Sequence, residues 1–311
     1  MAKLDSYLGW KVDFANPPGA PAFAGPDSVS WRVFKNPVAL GVGGVAAVLL
    51  EFADARIRSG VWNHSTFKRD PLGRSERTGM AAMVGVYGPM EAARRVIRGV
   101  TNMHARVEGE TPAGETYRAL DAALLDWVSA TAGYGFLAAY DRFVAPLSEA
   151  DKRRYYAEGE PVARLYGVEA TLRCDEDFFA MMETLAPRFE PHPIVEEFLD
   201  IIETRPLARA GLAAPPRFVR RALARASVSI LPSLVREKLA LGPRYDLSGA
   251  ERAMIKSLGA LADRICVRDA PPAQACLRLG LPADFLYKSR KAQARILAQW
   301  PRPAASPVPA E

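Results

Sequence analysis

One histidine, His104, sits where the apolar spacing of the chain is most regular. Val96, Ile97, Val100, Met103, His104 and Val107 recur at intervals of three and four, which places them on one stripe of an α-helix. An imidazole on an apolar face needs a hydrogen-bond partner or a metal. Two readings follow. His104 is a core histidine satisfied by a carbonyl, or it is an axial ligand to a haem iron, for which one imidazole in an apolar helical pocket suffices. The chain has only 3 histidines, which favours haem over a non-haem iron held by several imidazoles.

A second constellation lies upstream in Arg74-Ser75-Glu76-Arg77-Thr78. On a helix, Arg74, Arg77 and Thr78 fall at i, i+3 and i+4, on one face. Two guanidiniums and a hydroxyl offer donors to an anion, a haem propionate or bound oxygen. The plainer reading is a solvated helix start with ordinary surface arginines.

Other chemistries find less support. Gly41-Val42-Gly43-Gly44-Val45-Ala46 fits a Gly-x-Gly-x-x-Ala dinucleotide pattern. That mechanism needs a strand before it and a helix after it, and Pro37 spoils the lead-in. Small residues here are expected to let helices approach closely instead. No Gly-x-Ser-x-Gly elbow exists for a serine hydrolase. Cys174, Cys266 and Cys276 are far apart and odd in number, so neither a disulfide framework nor a structural zinc site is expected.

The elements that must position these residues are helices. Ala, Leu, Arg and Glu dominate, while alternating β-branched runs are scarce. The fold class expected is all-α, and Pro and Gly divide the chain into many helices. Helices are expected over Pro37 to about Ile57, from near Leu72, over Pro89 to Val107, from Asp121 to about Val144, and from Ser148 through Tyr156. Pro191-His192-Pro193 is expected to turn. The organisation expected is an extended arm over 1–30, one helical domain over 31–302 and a disordered Pro/Ala/Ser tail over 303–311.

Charge and hydropathy narrow the setting. The net charge is +6, too modest to imply nucleic-acid binding. Neither a signal peptide nor a membrane-spanning run is expected, since the longest apolar stretch, Pro37 to Leu50, falls short of the roughly 20 residues required. Residues 205–244 hold nine Arg or Lys and one acid, Glu237. Arg217, Arg221 and Arg225 form one stripe beside Phe218, Ala222 and Ala226. Such a basic amphipathic helix is a solvated face or a docking surface for an anionic membrane. The location expected is the cytoplasm, with peripheral membrane contact through 205–244 as the further expectation.

Read in order, several short motifs resemble the MpaB-like oxygenases, the family that includes the rubber oxygenases (latex-clearing proteins). Val61-Trp62-Asn63-His64-Ser65-Thr66-Phe67, Asp70-Pro71-Leu72-Gly73-Arg74 and Arg77-Thr78 are similar to the family's HS-x-F, DP-x-x-R and R-T segments. Val86-Tyr87-Gly88 follows, then His104, Val107 and Gly109. Next come Gly114, Tyr117, Ala119 and Asp121, then Leu124-Leu125 and Trp127-Val128. Pro146-Leu147-Ser148, Tyr156, Leu165-Tyr166-Gly167-Val168, Leu231-Pro232 and Arg236 extend the likeness. It spans about residues 30–245, and its specificity lies in the order and spacing of the motifs.

The resemblance implies a globin-like helical core holding b-type haem, with His104 as the proximal ligand. It places Arg74 and Thr78 where rubber oxygenases need an Arg and a Thr near the haem. Arg77 stands where some of them use a displaceable Lys. An arginine stays protonated and has no lone pair for iron, so here it could only hydrogen-bond or gate. The base carboxylate of the rubber oxygenases has no counterpart at the expected spacing; Glu51 and Glu76 are the nearest acids. The function expected is a haem-b-dependent oxygenase acting on a hydrophobic, unsaturated small molecule with oxygen. The alternative is a non-catalytic haem- or lipid-binding protein, or a peripheral membrane protein.

Overall fold

The structure is a computed structural model that describes residues 6–7, 10–66, 69–204 and 215–300. Strands β1 (Ser6–Tyr7) and β2 (Trp10–Lys11) pair antiparallel. Helix starts then follow local cap chemistry. Ser28 accepts from the Trp31 amide and opens α1 (Val29–Phe34). Asn36 accepts from the Val38 and Ala39 amides and opens α2 (Pro37–Phe52), with Pro37 where a missing amide costs nothing. Asp54 caps α3 (Ala55–His64) through the Arg56 amide. Asp70 caps α4 (Pro71–Tyr87) through Gly73. Helix α5 (Met90–His104) begins after Pro89.

Strands β3 (Glu108–Glu110) and β4 (Thr116–Arg118) form an antiparallel hairpin immediately after α5. Helix α6 (Ala122–Phe143) follows Asp121. Ser148 accepts from the Asp151 amide and opens α7 (Glu149–Leu165). The remaining helices are α8 (Asp175–Leu185), α9 (Pro193–Thr204), α10 (Arg217–Ser229), α11 (Ser233–Lys238), α12 (Gly249–Ala262), α13 (Pro271–Arg278) and α14 (Arg290–Gln299). The chain is therefore predominantly helical, as the composition led us to expect.

Four features differ from the sequence reading, the first being that α5 ends at His104 rather than at Val107. The helix from Pro37 stops at Phe52, because Asp54 turns its carboxylate onto the next amides and restarts the chain as α3. Helix α7 runs past Tyr156 to Leu165, with Pro161 inside it. The β3–β4 hairpin was not expected. Its strands are too short to show alternation, although Gly114, at φ +81, marks its turn. The tail over 303–311, residues 205–214 of the basic stretch and Phe67 lie outside the described residues.

The core centres on α2 lying against α6, with α10 and α12 also packed on α2. Closest approach falls at two glycines. A Cβ on Gly43 would lie 2.7 Å from the Gly135 carbonyl oxygen, and one on Gly135 would lie 2.6 Å from that of Gly43. The Gly-x-Gly-x-x-Ala pattern thus serves helix packing. On the other flank α4 packs against α5, α1 and α13. No helix among the described residues is long and apolar enough to cross a membrane.

Candidate functional site

The start of α4 decides where Arg74 stands. Asp70 accepts from the Gly73 amide at 2.9 Å, and Pro71 has its φ preset for the first helical turn. Arg74 therefore lies in the first turn of α4, where it is half-buried. Its charge reaches two groups on other helices: Glu51 near the C-terminal end of α2 and His104 at the last turn of α5. Helices α2, α4 and α5 thus bring an acid, a guanidinium and an imidazole into one electrostatic neighbourhood.

Glu51, which sequence spacing did not single out, is a carboxyl held in a buried setting. Burial raises its carboxyl from the usual 4.5 to about 7, against smaller opposing pulls from Arg74 and from Thr131 on α6. The Thr131 hydroxyl is fully buried and donates to the Val128 carbonyl at 2.9 Å, leaving a long 3.4 Å contact to Glu51 Oε1. A hydroxyl has one proton to give, and the shorter bond takes it. The carboxylate is therefore weakly solvated by its neighbours, which is why desolvation dominates. Only a buried environment could have distinguished Glu51 from other acids, and no local motif reports it.

His104 is half-buried at the C-terminal end of α5. Burial lowers its pKa, and the Arg74 charge lowers it further. Both effects favour the neutral imidazole, the form that has a lone pair to give. One turn earlier on the same helix, the Thr101 hydroxyl is buried with no hydrogen-bond partner. Val96, Ile97 and Val100 are buried as the stripe requires. Met103 is not: it is 42% exposed, because α5 ends one residue later and its last turn projects past the packing surface. The hairpin fixes that end. The Val107 amide donates to the His104 carbonyl at 2.9 Å, and Tyr117 on β4 lies over Gly60 and Gly109, where a Cβ would be 3.4 Å and 2.8 Å from its side chain.

The other two candidates have different partners. Arg77 Nη2 donates to Thr66 Oγ1 at 2.6 Å, and its Nη1 lies 3.8 Å from Asp70. Arg77 therefore ties the turn before α4 to the helix. Thr78 is exposed and donates to the Arg74 carbonyl at 3.0 Å. Arg74 and His104 are the pair that the fold joins, with Glu51 and Thr131 added from α2 and α6.

On the basic stripe of α10, Arg217 and Arg221 are exposed, with Phe218 between them 64% exposed. Arg225 leaves the stripe: it pairs with Glu251 at 2.7 Å and donates to the Arg244 carbonyl. Arg220, between them in sequence, caps the carbonyls of Glu203 and Thr204 at the end of α9.

Comparison with known proteins agrees with this frame. No curated protein and no solved structure matches the chain. Residues 31–264 match the family described as ER-bound oxygenase mpaB/B'/Rubber oxygenase, catalytic domain. That match runs from within α1 to the end of α12 and includes every candidate residue named above, so the chain belongs to the family of mpaB/B' and rubber oxygenase catalytic domains.

Proposed function

We propose that this protein is a haem-b-dependent oxygenase acting on a hydrophobic, unsaturated small molecule. The observation that carries the proposal is the match of residues 31–264 to an oxygenase catalytic domain, within which the charge of Arg74 reaches both the half-buried imidazole of His104 and the buried carboxyl of Glu51. The residues fit the cofactor. His104 offers an imidazole for iron, and the Thr101 hydroxyl one turn away has no hydrogen-bond partner among the described residues. Among the described residues no three His, Cys, Asp or Glu side chains come together as a metal-ligand group. A cofactor that needs one imidazole therefore suits the site better than an ion held by side chains alone.

His104 would hold the haem, and the haem when bound supplies activation of dioxygen. The protein's own residues supply the rest. Burial and, secondarily, the charge of Arg74 favour the unprotonated form of His104, and Arg74 offers its guanidinium to an anionic group such as a propionate. Glu51, poised near neutrality, takes a proton from substrate at a carboxylate oxygen or returns one. Thr131 lies against that carboxyl at 3.4 Å while its proton goes to the Val128 carbonyl. Val48 and Val128, half-buried one turn from Glu51 and Thr131, supply apolar wall that excludes water. Arg77 and Thr78 act by holding the first turns of α4, and with it Arg74, in register.

The test is an ultraviolet-visible spectrum of protein purified from haem-supplemented cells, with and without dithionite. A Soret band near stoichiometry that His104→Ala abolishes is the expected result. Full haem retention by His104→Ala with an unchanged band would remove His104 as the ligand.

A peripheral membrane role has one favouring observation, the exposed Phe218 between Arg217 and Arg221. Co-sedimentation with anionic vesicles that survives neutralising both arginines would remove it.

A further inference from the structure

A cavity of 260 Å³ opens where α1, the C-terminal end of α6 and the start of α14 meet. Its wall includes Arg32, Lys35, Tyr140, Asp263, Ser289 and Arg290. It is separate from the site above: along α6, Tyr140 lies roughly 14 Å from Thr131 at 1.5 Å per residue.

Three features of the wall ask for an acceptor. Tyr140 is 2% exposed and lines the cavity, yet its hydroxyl makes no hydrogen bond with any described residue. That hydroxyl is not among the fully enclosed polar atoms without a partner, so it is open to the cavity that its residue lines. The charges of Asp263, Arg32, Arg290 and Asp151 all reach that hydroxyl, and the two carboxylates are the ones already held by Lys35 and Arg32. Arg32 is itself under-satisfied. Its Nη2 forms an ion pair with Asp151 at 2.8 Å, yet neither its Nε nor its Nη2 makes a hydrogen bond among the described residues. Arg290 is exposed at the cavity mouth and has no ion-pair partner among the described residues.

The acids of the wall are already engaged. Asp263 pairs with the buried Lys35 at 3.0 Å, and Asp27 pairs with Arg154 at 3.0 Å. Arg290 also opens the ten-residue α14, whose Ser289 cap takes the Ala292 amide at 3.3 Å. The amides of Arg290 and Lys291 at that end have no intrahelical partner. A helix start, two guanidiniums and a phenol converge on one space from different elements. A tetrahedral oxyanion with acceptors on every side meets such a set better than a planar carboxylate does.

We propose that this cavity binds a compact phosphate-bearing anion, with the Tyr140 hydroxyl, Arg32 and Arg290 as its donors. The phosphate is free or is carried by a small glycerol-type headgroup. The test is calorimetric titration of the full chain with inorganic phosphate, glycerol 3-phosphate and acetate. Tyr140→Phe removes a hydroxyl that bonds to no described residue, and Arg290→Ala changes an exposed side chain, so both variants keep the fold. Arg295→Ala, further along the exposed face of α14, is the control.

The expected result is saturable binding that weakens about tenfold or more in Tyr140→Phe and Arg290→Ala and is unchanged in Arg295→Ala. Binding of glycerol 3-phosphate but not phosphate would assign the headgroup source, and equal binding would assign free phosphate. Three results would overturn the proposal: no saturable binding of either phosphate, binding that Tyr140→Phe and Arg290→Ala leave intact, or acetate bound as tightly as phosphate.

Discussion

Glu51 shows how a single residue can acquire chemistry from its surroundings alone. Its carboxyl is pushed up to about 7 because burial strips it of water, against smaller opposing pulls from Arg74 and Thr131. If Glu51 moves the proton in turnover, Glu51→Gln lowers kcat by about 10²- to 10⁴-fold, the usual contribution of a positioned general acid or base. The pH–rate limb near neutrality then disappears with it. Arg74→Gln tests the coupling separately. The arginine charge pulls the Glu51 pKa down, so its removal moves that limb to higher pH, read from the pH dependence of kcat/KM. The same shift affects folding. Glu51's folded value lies above its unfolded one, so its contribution to stability is present below the ordinary carboxyl range and lost as pH rises through about 7. The rise from 4.5 to about 7 corresponds to roughly 3 kcal/mol. Glu51→Gln should therefore gain stability over the natural protein at about pH 8 and show little difference at about pH 5, by urea unfolding. His104 has the opposite sign. Its folded value is lowered, so its contribution is present at higher pH and lost on acidification.

At the scale of elements, two junctions hold the site. The first is the α2–α6 crossing, which sets Glu51 against Thr131. With a Gly43 Cβ only 2.7 Å from backbone of α6, Gly43→Ala must push the helices apart. A loss of about 1–3 kcal/mol is expected from such overpacking, measured as a lowered urea midpoint. Gly41→Ala is the contrast, since its Cβ would meet nothing within 4 Å, and a helix interior prefers Ala to Gly by roughly 0.5–1 kcal/mol. The second junction is the start of α4. Asp70→Ala removes the cap that fixes Arg74 in the first turn, at a cost of about 1 kcal/mol. These starts were readable in the sequence because cap and proline chemistry is local. The α2–α3 break was not anticipated, because apolar periodicity continues across it and only Asp54's choice of amides ends it.

At the scale of the whole molecule, buried arginines tie distant segments together. Arg278, 2% exposed, donates to the carbonyls of Phe14, Ala20 and Tyr87 at 2.7–2.8 Å. It thereby joins α13 to the N-terminal arm and to the end of α4. Burial lowers its pKa to about 10. Arg278→Met strands three carbonyls and should cost about 3 kcal/mol, with limited proteolysis showing release of the arm first. Arg58, 1% exposed, holds the Phe52 carbonyl and pairs with Glu190, joining α3 to the segment before α9. Neither arginine stands out in the sequence, where each is one of 41 Lys and Arg residues.

Helical class, cap positions and the buried stripe of α5 were set by sequence alone, because propensity, capping and periodicity act within a few residues. The ordered motifs likewise marked Arg74 and His104 and the family, since their spacing survives as a pattern along the chain. Tertiary structure decided the rest. It turned Arg225 inward to Glu251 and engaged Arg77 with Thr66 and Asp70. It also drew Glu51 to within the reach of Arg74's charge. These outcomes depend on which helices meet and on how much water is left between them. Neither quantity is written in the neighbours along the chain.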